Sequence, residues 1–318
     1  MRLACLLLSA TLSLAALAQG FPSRPITIIV PYSPGSTSDL LPRAIAPHLS
    51  QALGVPVVVE NRPGAGGNIG AALVAKGDAS GHTVLMAPSA VLATNQWLYQ
   101  DPGYDPQKDL TPLIDAATTP NLWVASPSVP VKTMADVIAL AKAKPGGLSF
   151  ASGGAGTTSH LCGELLKTMA AVDLVHVPYK GPAPALQDVL AGRVPLMCDN
   201  FSNVISHVRN GRLRAIALTG TKRIAQAPDV PTVSESGLAG FEISVWYGFA
   251  VPAATPKPVV QRLNREIAGA LHQPAVEQRL QSLGLTIVAD TPEEFARFVA
   301  AESEKMRRLV QASGAKVE

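Results

Sequence analysis

The stretch ITIIVPYSPGSTSD, residues 26–39, decides the fold class. Its first five residues are β-branched and mostly apolar, and Pro31 ends the run, which is typical of a strand buried on both faces. A loop rich in Ser, Pro and Gly follows, and apolar residues then recur at helical spacing from Leu41 to Leu53. The stretch predicts a strand, a loop and a helix in succession, which is the repeating unit of an α/β fold.

The stretch LSFASGGAGTTSH, residues 148–160, repeats this order of strand, loop and helix. The start of a helix leaves about four N–H groups unpaired and carries roughly half a positive charge. It can therefore receive an anion without Lys or Arg. Ser36 and Asp39 have the spacing of a capping box, which would fix where the first helix begins. Two such loops facing each other would suit a dicarboxylate or an amino-acid anion.

The rest of the chain alternates strand-like and helix-like segments, which predicts two α/β units with parallel sheets. We place the first lobe at residues 22–122 plus 243–318 and the second at 123–242. Extended crossings between them would make a hinged protein with a ligand cleft. Pro47, inside the first helical pattern, predicts a kink or a broken turn. A capping box at Thr291 and Glu294 predicts the start of the last helix.

The first residues predict an export signal. Met1 and Arg2 give a positive start, and an apolar stretch from Leu6 to Leu17 ends in small residues. This order is typical of a secretory signal peptide over residues 1–18, although a buried N-terminal helix would look similar. No later stretch has the roughly 18 uninterrupted apolar residues of a spanning helix. We expect a mature chain that is soluble and periplasmic.

Charge and cysteine content narrow the function classes. The net charge of +3 among 318 residues gives no strong attraction to nucleic acid or anionic lipid, so no nucleic-acid partner is expected. Cys162 and Cys198 follow the predicted signal and could form one disulfide in an oxidising periplasm. Sequence alone leaves that pairing open, because it cannot show that the two Cβ atoms meet.

Catalytic and cofactor motifs are absent from the sequence. It has no G-x-S-x-G elbow, no H-E-x-x-H and no C-x-x-C, so no metal and no cofactor are predicted. The glycines of residues 63–70 do not fit the dinucleotide fingerprint and indicate a close-approach turn. A triad of Ser152, His160 and Asp199 can be drawn, but nothing in the spacing demands it. We therefore expect no enzymatic activity.

Asp199 follows a predicted strand and precedes Asn200. Ligands of open α/β sheets bind beyond the carboxyl ends of strands, so Asp199 is well placed to line a cleft. The alternative is that it caps the next helix. Facing a ligand, its carboxylate would favour an ammonium or hydroxyl donor over a bare polyanion.

The chain resembles the Bug-type, TctC-like receptors of tripartite tricarboxylate transporters. The resemblance covers essentially the whole mature chain. It rests on the prolines and Gly35 after the first strand, on ENRPGAGGN at residues 60–68, on SHL at 159–161, on VPYKG at 177–181 and on DN at 199–200. It implies a two-lobed periplasmic-binding fold of the type II-like kind that closes around a solute. Ser36 and Ala155 depart from the family pattern, which usually has glycine and asparagine there.

The resemblance and the loops together predict a solute-binding receptor for a small carboxylate (an amino-acid anion, a di- or tricarboxylate or an aromatic carboxylate). It would act as a monomer and deliver its cargo to the membrane subunits of a tripartite transporter. A ligand sensor for a signalling partner and a hydrolase are the alternatives. The candidate ligand-binding residues are Ser33, Gly35, Ser36, Thr37, Asp39, Ser152, Gly153, Gly154, Thr157, Thr158, His160 and Asp199.

Overall fold

The computed structural model describes residues 20–179 and 181–316. The predicted signal peptide, residues 1–18, lies outside them. The strands are β1 (Ile26–Val30), β2 (Val57–Asn61), β3 (Thr83–Pro88), β4 (Leu110–Ala125), β5 (Ser149–Ser152), β6 (Val175–Pro178), β7 (Leu196–Asn200), β8 (Arg214–Leu218), β9 (Ser244–Pro252) and β10 (Thr286–Ile287).

Helices cover the strands on both faces. They are α1 (Thr37–Leu53), α2 (Asn68–Ala75), α3 (Asn95–Leu98), α4 (Met134–Ala143), α5 (Thr158–Ala170), α6 (Pro182–Leu190), α7 (Phe201–Arg209), α8 (Lys257–Leu271), α9 (Pro274–Ser282) and α10 (Pro292–Ser313). A 3₁₀ turn at Ala65–Gly67 precedes α2, and a π-helical stretch at Ala90–Thr94 leads into α3. Within the described ranges, no helix is long and apolar enough to cross a membrane.

The strands form two sheet regions that share one strand. In the first, the order is β2-β1-β3-β9-β4, with β1 parallel to β2 and β3, and with β9 antiparallel to β3 and β4. In the second, the order is β4-β7-β5-β6, with β5 parallel to its neighbours and β8 also paired to β4. The prediction of parallel sheets therefore holds for β1–β3 and β5–β7, while the crossing strands β4 and β9 run antiparallel.

The shared strand β4 was not predicted. It pairs with β9 from Leu110 to Pro120 and with β7 from Asn121 to Ala125, so it passes through both sheet regions. Two prolines and several polar residues interrupt its sequence, which therefore lacks the alternation that marks a strand. The exact lobe boundaries stay a prediction.

The first helix starts where the sequence indicates and runs without a break to Leu53. Pro42 and Pro47 both lie inside it, so the predicted broken turn at Pro47 is wrong. The left-handed Gly54 ends the helix, and its N–H donates to the Ser50 carbonyl oxygen at 3.0 Å. Neighbouring turns keep the helix continuous even though each proline removes one N–H donor.

A disulfide joins helix α5 of the second lobe to the sheet of that lobe. Cys162 of α5 pairs with Cys198 of β7, with the Cα atoms 6.5 Å apart and both residues fully buried. This answers the question that the sequence left open. The bond fixes α5 against β7 close to the carboxyl end of that strand.

The last helix packs on the shared core. Thr291 and Glu294 form the predicted capping box, with both reciprocal hydrogen bonds present. The ring of Phe295 is fully buried and meets Trp246 of β9 edge-on at 5.5 Å. Gly248 leaves the room for that ring, because a Cβ at this position would collide with it. Helix α10 therefore closes over the strands that cross between the lobes.

Candidate functional site

The loop between β1 and α1, residues 31–36, is held by the carboxylate of Asp39. Asp39 Oδ2 accepts from the Gly35 backbone N–H at 2.9 Å, and Oδ1 accepts from Arg43 Nε at 2.8 Å and Asn61 Nδ2 at 2.9 Å. Burial alone would raise the pKa of this carboxyl, but the three donors outweigh burial and hold its pKa below the usual value. Asp39 therefore stays ionised at neutral pH and fixes the loop.

The capping box predicted from Ser36 and Asp39 does not form. Ser36 is the N-cap residue, but its hydroxyl donates to the Ser33 carbonyl oxygen at 2.9 Å. Its backbone N–H points to the same oxygen at 3.4 Å. Because both polar groups of Ser36 bond within the loop, the Asp39 carboxylate reaches one residue further back, to the amide of Gly35.

The first two amides of α1 are available to a ligand. The N–H groups of Thr37 and Ser38 donate to no residue in the described ranges. They lie at the positive end of a helix of 17 residues. An anion placed before this helix would accept both hydrogen bonds and meet the favourable end of the dipole.

The loop between β5 and α5, residues 153–157, is anchored on two histidines. Ser152 Oγ lies 2.6 Å from His176 Nε2 and accepts from the Gly154 N–H at 3.1 Å. The Gly156 N–H donates to Nδ1 of His160 at 3.0 Å. A backbone N–H can only donate, so Nδ1 of His160 carries no proton.

The two imidazoles stack on each other behind this loop. The rings of His160 and His176 are 4.0 Å apart and nearly parallel, and His160 Nε2 faces Glu164 Oε1 at 3.6 Å. Burial of the ring, with a smaller contribution from the neighbouring His160, lowers the pKa of His176 to about 4. His176 is therefore neutral at physiological pH.

The start of α5 mirrors the start of α1. Thr157 is the N-cap residue, and its hydroxyl accepts from the His160 N–H at 3.3 Å and donates to the Gly154 carbonyl oxygen at 2.8 Å. The N–H groups of Thr158 and Ser159 donate to no residue in the part of the chain that the structure describes. This second helix therefore also begins with two amides available to an anion.

Tyr247 of β9 connects the two lobes beside these helix starts. Its hydroxyl accepts from Asn200 Nδ2, at the end of β7, at 3.2 Å, and the Thr37 side chain lies near that hydroxyl. Leu98 of α3 makes a second contact across the lobes by packing on Gly156, where a Cβ would collide with its side chain. These two contacts join the lobes next to the starts of α1 and α5.

Asp199 is buried in the same region. Its Oδ2 accepts from Asn203 Nδ2 at 3.2 Å, and no cationic side chain in the described ranges forms an ion pair with it. Desolvation raises the pKa of Asp199 to about 6, although hydrogen bonds from the Asn200 backbone and from Asn203 partly oppose that rise. Asp199 does not cap α7, because Asn200 is the N-cap residue and makes no side-chain cap bond.

The third glycine-rich segment, residues 63–70, forms the predicted close-approach turn. A Cβ on Gly66 would meet the Tyr99 ring, and one on Gly67 would meet Val91 and Pro31. The Tyr32 hydroxyl donates to the Gly66 carbonyl oxygen at 3.0 Å. The segment therefore packs against Pro31 and Tyr32 at the beginning of the loop between β1 and α1.

The predicted site residues lie at these two helix starts, except Asp199, which lies at the end of β7. Ser33 and Gly35 are exposed, Ser36, Thr37, Gly153, Gly154, Thr157 and Thr158 are half-buried, and Asp39, Ser152, His160 and Asp199 are buried. The triad of Ser152, His160 and Asp199 does not form, because Ser152 pairs with His176 and His160 with Gly156. Contact of these residues with a ligand stays a prediction.

Sequence reasoning missed Tyr247, His176 and Leu98 as parts of the site. Each lies far along the chain from the loop that it touches, and only His176 carried a chemical signal, as a histidine in a strand. Two surface cavities, of about 470 Å³ beside Arg214 and about 350 Å³ beside α10, contain no residue of either loop. The site is therefore defined by its hydrogen-bonding geometry.

Known proteins are similar in sequence to this chain over nearly its full length. The BugT protein of Bordetella pertussis (strain Tohama I) is 38% identical over 303 residues, which cover 94% of this chain and 92% of BugT. The UPF0065 protein in the tcbD-tcbE intergenic region of Pseudomonas sp. (strain P51) is 40% identical over 291 residues, covering 91% of this chain and 86% of the relative.

Solved structures share the fold. An R. palustris protein with adipate has a TM-score of 0.85 and 36% identity over 93% of this chain and 100% of that chain. MatC from Rhodopseudomonas palustris with bound malate has a TM-score of 0.80 and 32% identity, over 91% and 100%. The periplasmic binding protein BugD has a TM-score of 0.81 and 34% identity, over 94% of this chain and 100% of the BugD chain. The predicted two-lobed periplasmic-binding fold is confirmed.

The family profile supports the same conclusion from the sequence side. The profile of the tripartite tricarboxylate transporter family receptor, TctC, matches residues 41–315. That range takes in α1 after its first turn, every strand except β1, and all of α10. The predicted resemblance to Bug-type receptors is therefore confirmed, and the chain belongs to the tripartite tricarboxylate transporter receptor family.

Proposed function

We propose that this chain binds a small organic acid between its lobes and delivers it to the membrane subunits of a tripartite transporter. One observation carries the proposal: each lobe presents a helix start with two N–H groups that donate to no described residue, at Thr37 and Ser38 and at Thr158 and Ser159. Carboxylate groups at the two ends of one ligand would accept from both helix starts.

The strength of such binding is adequate for a receptor. A hydrogen bond to a charged group contributes roughly 1.5–3 kcal/mol. Four of them contribute about 6–12 kcal/mol before the cost of ordering the ligand and closing the lobes, so with further contacts to the body of the ligand they can support micromolar affinity, about −8 kcal/mol. Ser36 and Thr157 use their hydroxyl hydrogens within the loops, so we assign the main donor role to the backbone amides.

The ligand class follows from the charges at the site. Adipate and malate, in the structures of the two R. palustris relatives, are small dicarboxylates, and we propose the same class here. Asp199 adds a buried carboxyl whose pKa of about 6 leaves it largely ionised at neutral pH. It disfavours a tricarboxylate and favours an acid that also carries a hydroxyl or ammonium group. The departures at Ser36 and Ala155 lie in the loops that would set this preference.

The location and partners follow from the family. We propose a periplasmic monomer exported by a cleaved signal peptide, because its relative BugD is a periplasmic binding protein. The membrane subunits of a tripartite transporter would recognise the closed form. We propose that the chain binds its ligand without chemical turnover.

A hydrolase is the second candidate, because Ser152 Oγ lies within hydrogen-bonding distance of His176 Nε2. Ser152 is fully buried, and the pair serves the loop between β5 and α5. Substituting Ser152→Ala separates the two functions. A hydrolase would lose turnover of ester and amide substrates, whereas a receptor would show no turnover in either form and only weaker binding.

The test of the proposal is a binding screen. The mature protein is unfolded and refolded to remove carried-over ligand, then screened against mono-, di- and tricarboxylates and amino acids by thermal shift and calorimetry. We expect a rise in melting temperature by mass action for small dicarboxylic or hydroxy acids. A preference for uncharged solutes, or no shift with any acid, would refute the proposal.

A further inference from the structure

We propose that Asn121 is a specificity-determining residue that binds the second polar end of the ligand. The inference rests on the proposed carboxylate-binding function and deepens it. Asn121 is the residue of β4 at which the strand stops pairing with β9 and begins pairing with β7. It therefore lies at the junction of the two sheet regions.

The backbone of Asn121 is fixed on both sides. Its N–H donates to Thr219 Oγ1 at 2.8 Å, and its carbonyl oxygen accepts from the Thr219 N–H at 2.9 Å. On the other side it pairs with Asn200. The side chain is thus presented from a rigid strand, which is the placement that a selective contact needs.

The side chain of Asn121 is fully buried, yet it is unpartnered. Neither Oδ1 nor Nδ2 has a hydrogen-bond partner among the described residues, although a carboxamide can make up to four bonds. Asn264 shows the contrast, because its Nδ2 donates to the carbonyl oxygens of Leu113 and Asp290. A buried amide without partners costs stability, so packing alone does not explain Asn121.

The carboxamide lies on the same face of the sheet as the side chain of Asn200. Residues paired directly across neighbouring strands project to the same face, with Cβ atoms about 5 Å apart. Asn121 and Asn200 form such a pair, and Asn200 Nδ2 donates to the Tyr247 hydroxyl, near which the Thr37 side chain lies. Asn121 therefore lies beside the contact that joins the first ligand loop to the second lobe.

The same face of β7 carries the second helix start. Cys198, two residues before Asn200, points to α5 and forms the disulfide with Cys162. The Cys198 carbonyl oxygen accepts from the Ser159 hydroxyl at the beginning of α5. Because alternate residues of a strand share a face, the Asn200 and Asn121 side chains lie towards the N-terminus of α5.

A carboxamide at this point would bind a ligand whose second end is polar and disfavour one whose second end is apolar. Its N–H₂ group donates to a carboxylate or hydroxyl oxygen, and its carbonyl oxygen accepts from a hydroxyl. A methyl end in the same place would leave both groups unpaired, and such mismatches give strong discrimination. Asn121 would therefore favour acids with a second polar end over monocarboxylates of equal length.

The test compares Asn121→Leu with Asn264→Leu as a matched control. The affinities of the refolded wild type and both variants are measured for the dicarboxylates from succinate to pimelate and for the monocarboxylate of equal chain length. We expect Asn121→Leu to raise the Kd of the bound dicarboxylates about tenfold or more, without raising that of the monocarboxylates. Asn264→Leu should leave both unchanged.

Melting temperatures without ligand separate a binding role from a structural one. Asn121→Leu should not lower the melting temperature, because it breaks no hydrogen bond, whereas Asn264→Leu should lower it. Dicarboxylate affinities of Asn121→Leu within about twofold of wild type, or a fall in its melting temperature equal to that of Asn264→Leu, would overturn the inference. A wild type that binds no acid refutes the proposed function itself, and this inference with it.

Discussion

The loops before α1 and α5 end in the same way but are held by different chemistry. Both lead to a helix whose first two amides donate to no described residue. An ionised carboxylate, Asp39, holds the first loop through the Gly35 amide. Neutral imidazoles hold the second, where His160 accepts from the Gly156 amide and His176 lies against Ser152.

The difference teaches that a helix start can be fixed without using the amides that a ligand needs. In each loop a side chain binds an amide upstream of the helix, at Gly35 or at Gly156, and leaves the first helical amides free. The two solutions should respond differently to acid, since Asp39 holds its loop as a charged group and His176 lies behind the other loop as a neutral one. The second loop alone has a covalent tie, the Cys162–Cys198 disulfide.

The largest effect should come from removing that tie. The disulfide joins residues that are 36 positions apart in the sequence. Replacing both Cys162 and Cys198 by Ala removes this constraint on the unfolded chain and should lower the free energy of unfolding by about 2–4 kcal/mol. Urea unfolding measures the loss, and hydrogen exchange should rise at the start of α5 more than at the start of α1. Adding reductant to the double variant is the control and should change nothing. Equal increases in hydrogen exchange at both helix starts would contradict the statement that the disulfide holds only the second loop.

Removing the carboxylate of the first loop should have the next largest effect. Asp39→Ala leaves the Gly35 amide without its acceptor and removes one of the two acceptors of Asn61 Nδ2, which still donates to the Tyr32 carbonyl oxygen, so it should cost about 1–3 kcal/mol of stability. Urea unfolding measures this, with Asp78→Ala as a control, because that aspartate is largely exposed in an ion pair with Arg24. An Asp39→Ala variant as stable as the control would contradict the role of Asp39.

The two glycines whose amides are bound should differ in tolerance. Gly35 (φ 83°) has open space around its missing Cβ, so Gly35→Val adds backbone strain of about 1–3 kcal/mol and should weaken ligand binding at the first loop. Gly156 (φ 76°) meets Leu98 as well, so Gly156→Val should cost more stability and more affinity. Thermal melts with calorimetry rank the two variants. A larger loss of stability and affinity in Gly35→Val than in Gly156→Val would show that packing of Leu98 on Gly156 does not hold the second loop.

The smallest effect should be a difference in acid sensitivity. Burial lowers the pKa of His176 to about 4, below its unfolded value, so the unfolded state binds more protons between about pH 6.5 and 4. Stability contributed by neutral His176 is therefore present at neutral pH and is lost as the pH falls through that range. His176→Phe keeps the ring stacking and should reduce the fall in melting temperature between pH 7 and 5 by a few degrees, roughly.

Comparing variants at each pH cancels the other titrating groups. Asp115, for example, has its pKa raised to about 8 by burial and by Asp290. Its contribution to the free energy of unfolding therefore falls as the pH rises from about 4 to 8. Gln107→Ala, at an exposed side chain that does not titrate, is the control and should leave the acid sensitivity unchanged. An unchanged pH profile in His176→Phe would mean that the second loop does not depend on a neutral ring at this position.

Much of the fold could be predicted because its units are local. The strand at Ile26–Val30, the following helix and the capping box at Thr291 all depend on residues close together in sequence. Strand β4 could not be predicted, because Pro112 and Pro120 interrupt it and it is buried by two different lobes. Its identity depends on β7 and β9, which lie far along the chain.

The candidate site divides in the same way. Both ligand loops were visible, because glycine and hydroxyl residues followed a strand and preceded a helix. The residues that hydrogen-bond to these regions could not be predicted, because they lie far along the chain. His176 lies 24 residues beyond its partner Ser152, and Tyr247 lies 47 residues beyond its partner Asn200. Only the folded chain brings them together, and the same holds for the unpartnered amide of Asn121.

The most direct test of the central claim is amide NMR during ligand titration. The isotope-labelled protein is titrated with the tightest-binding acid of the succinate-to-pimelate series, and the backbone amide protons are followed to saturation. The account predicts the largest downfield shifts at Thr37 and Ser38 of α1 and at Thr158 and Ser159 of α5, because these amides would donate to carboxylate oxygens. Saturation without a shift at either pair would contradict it.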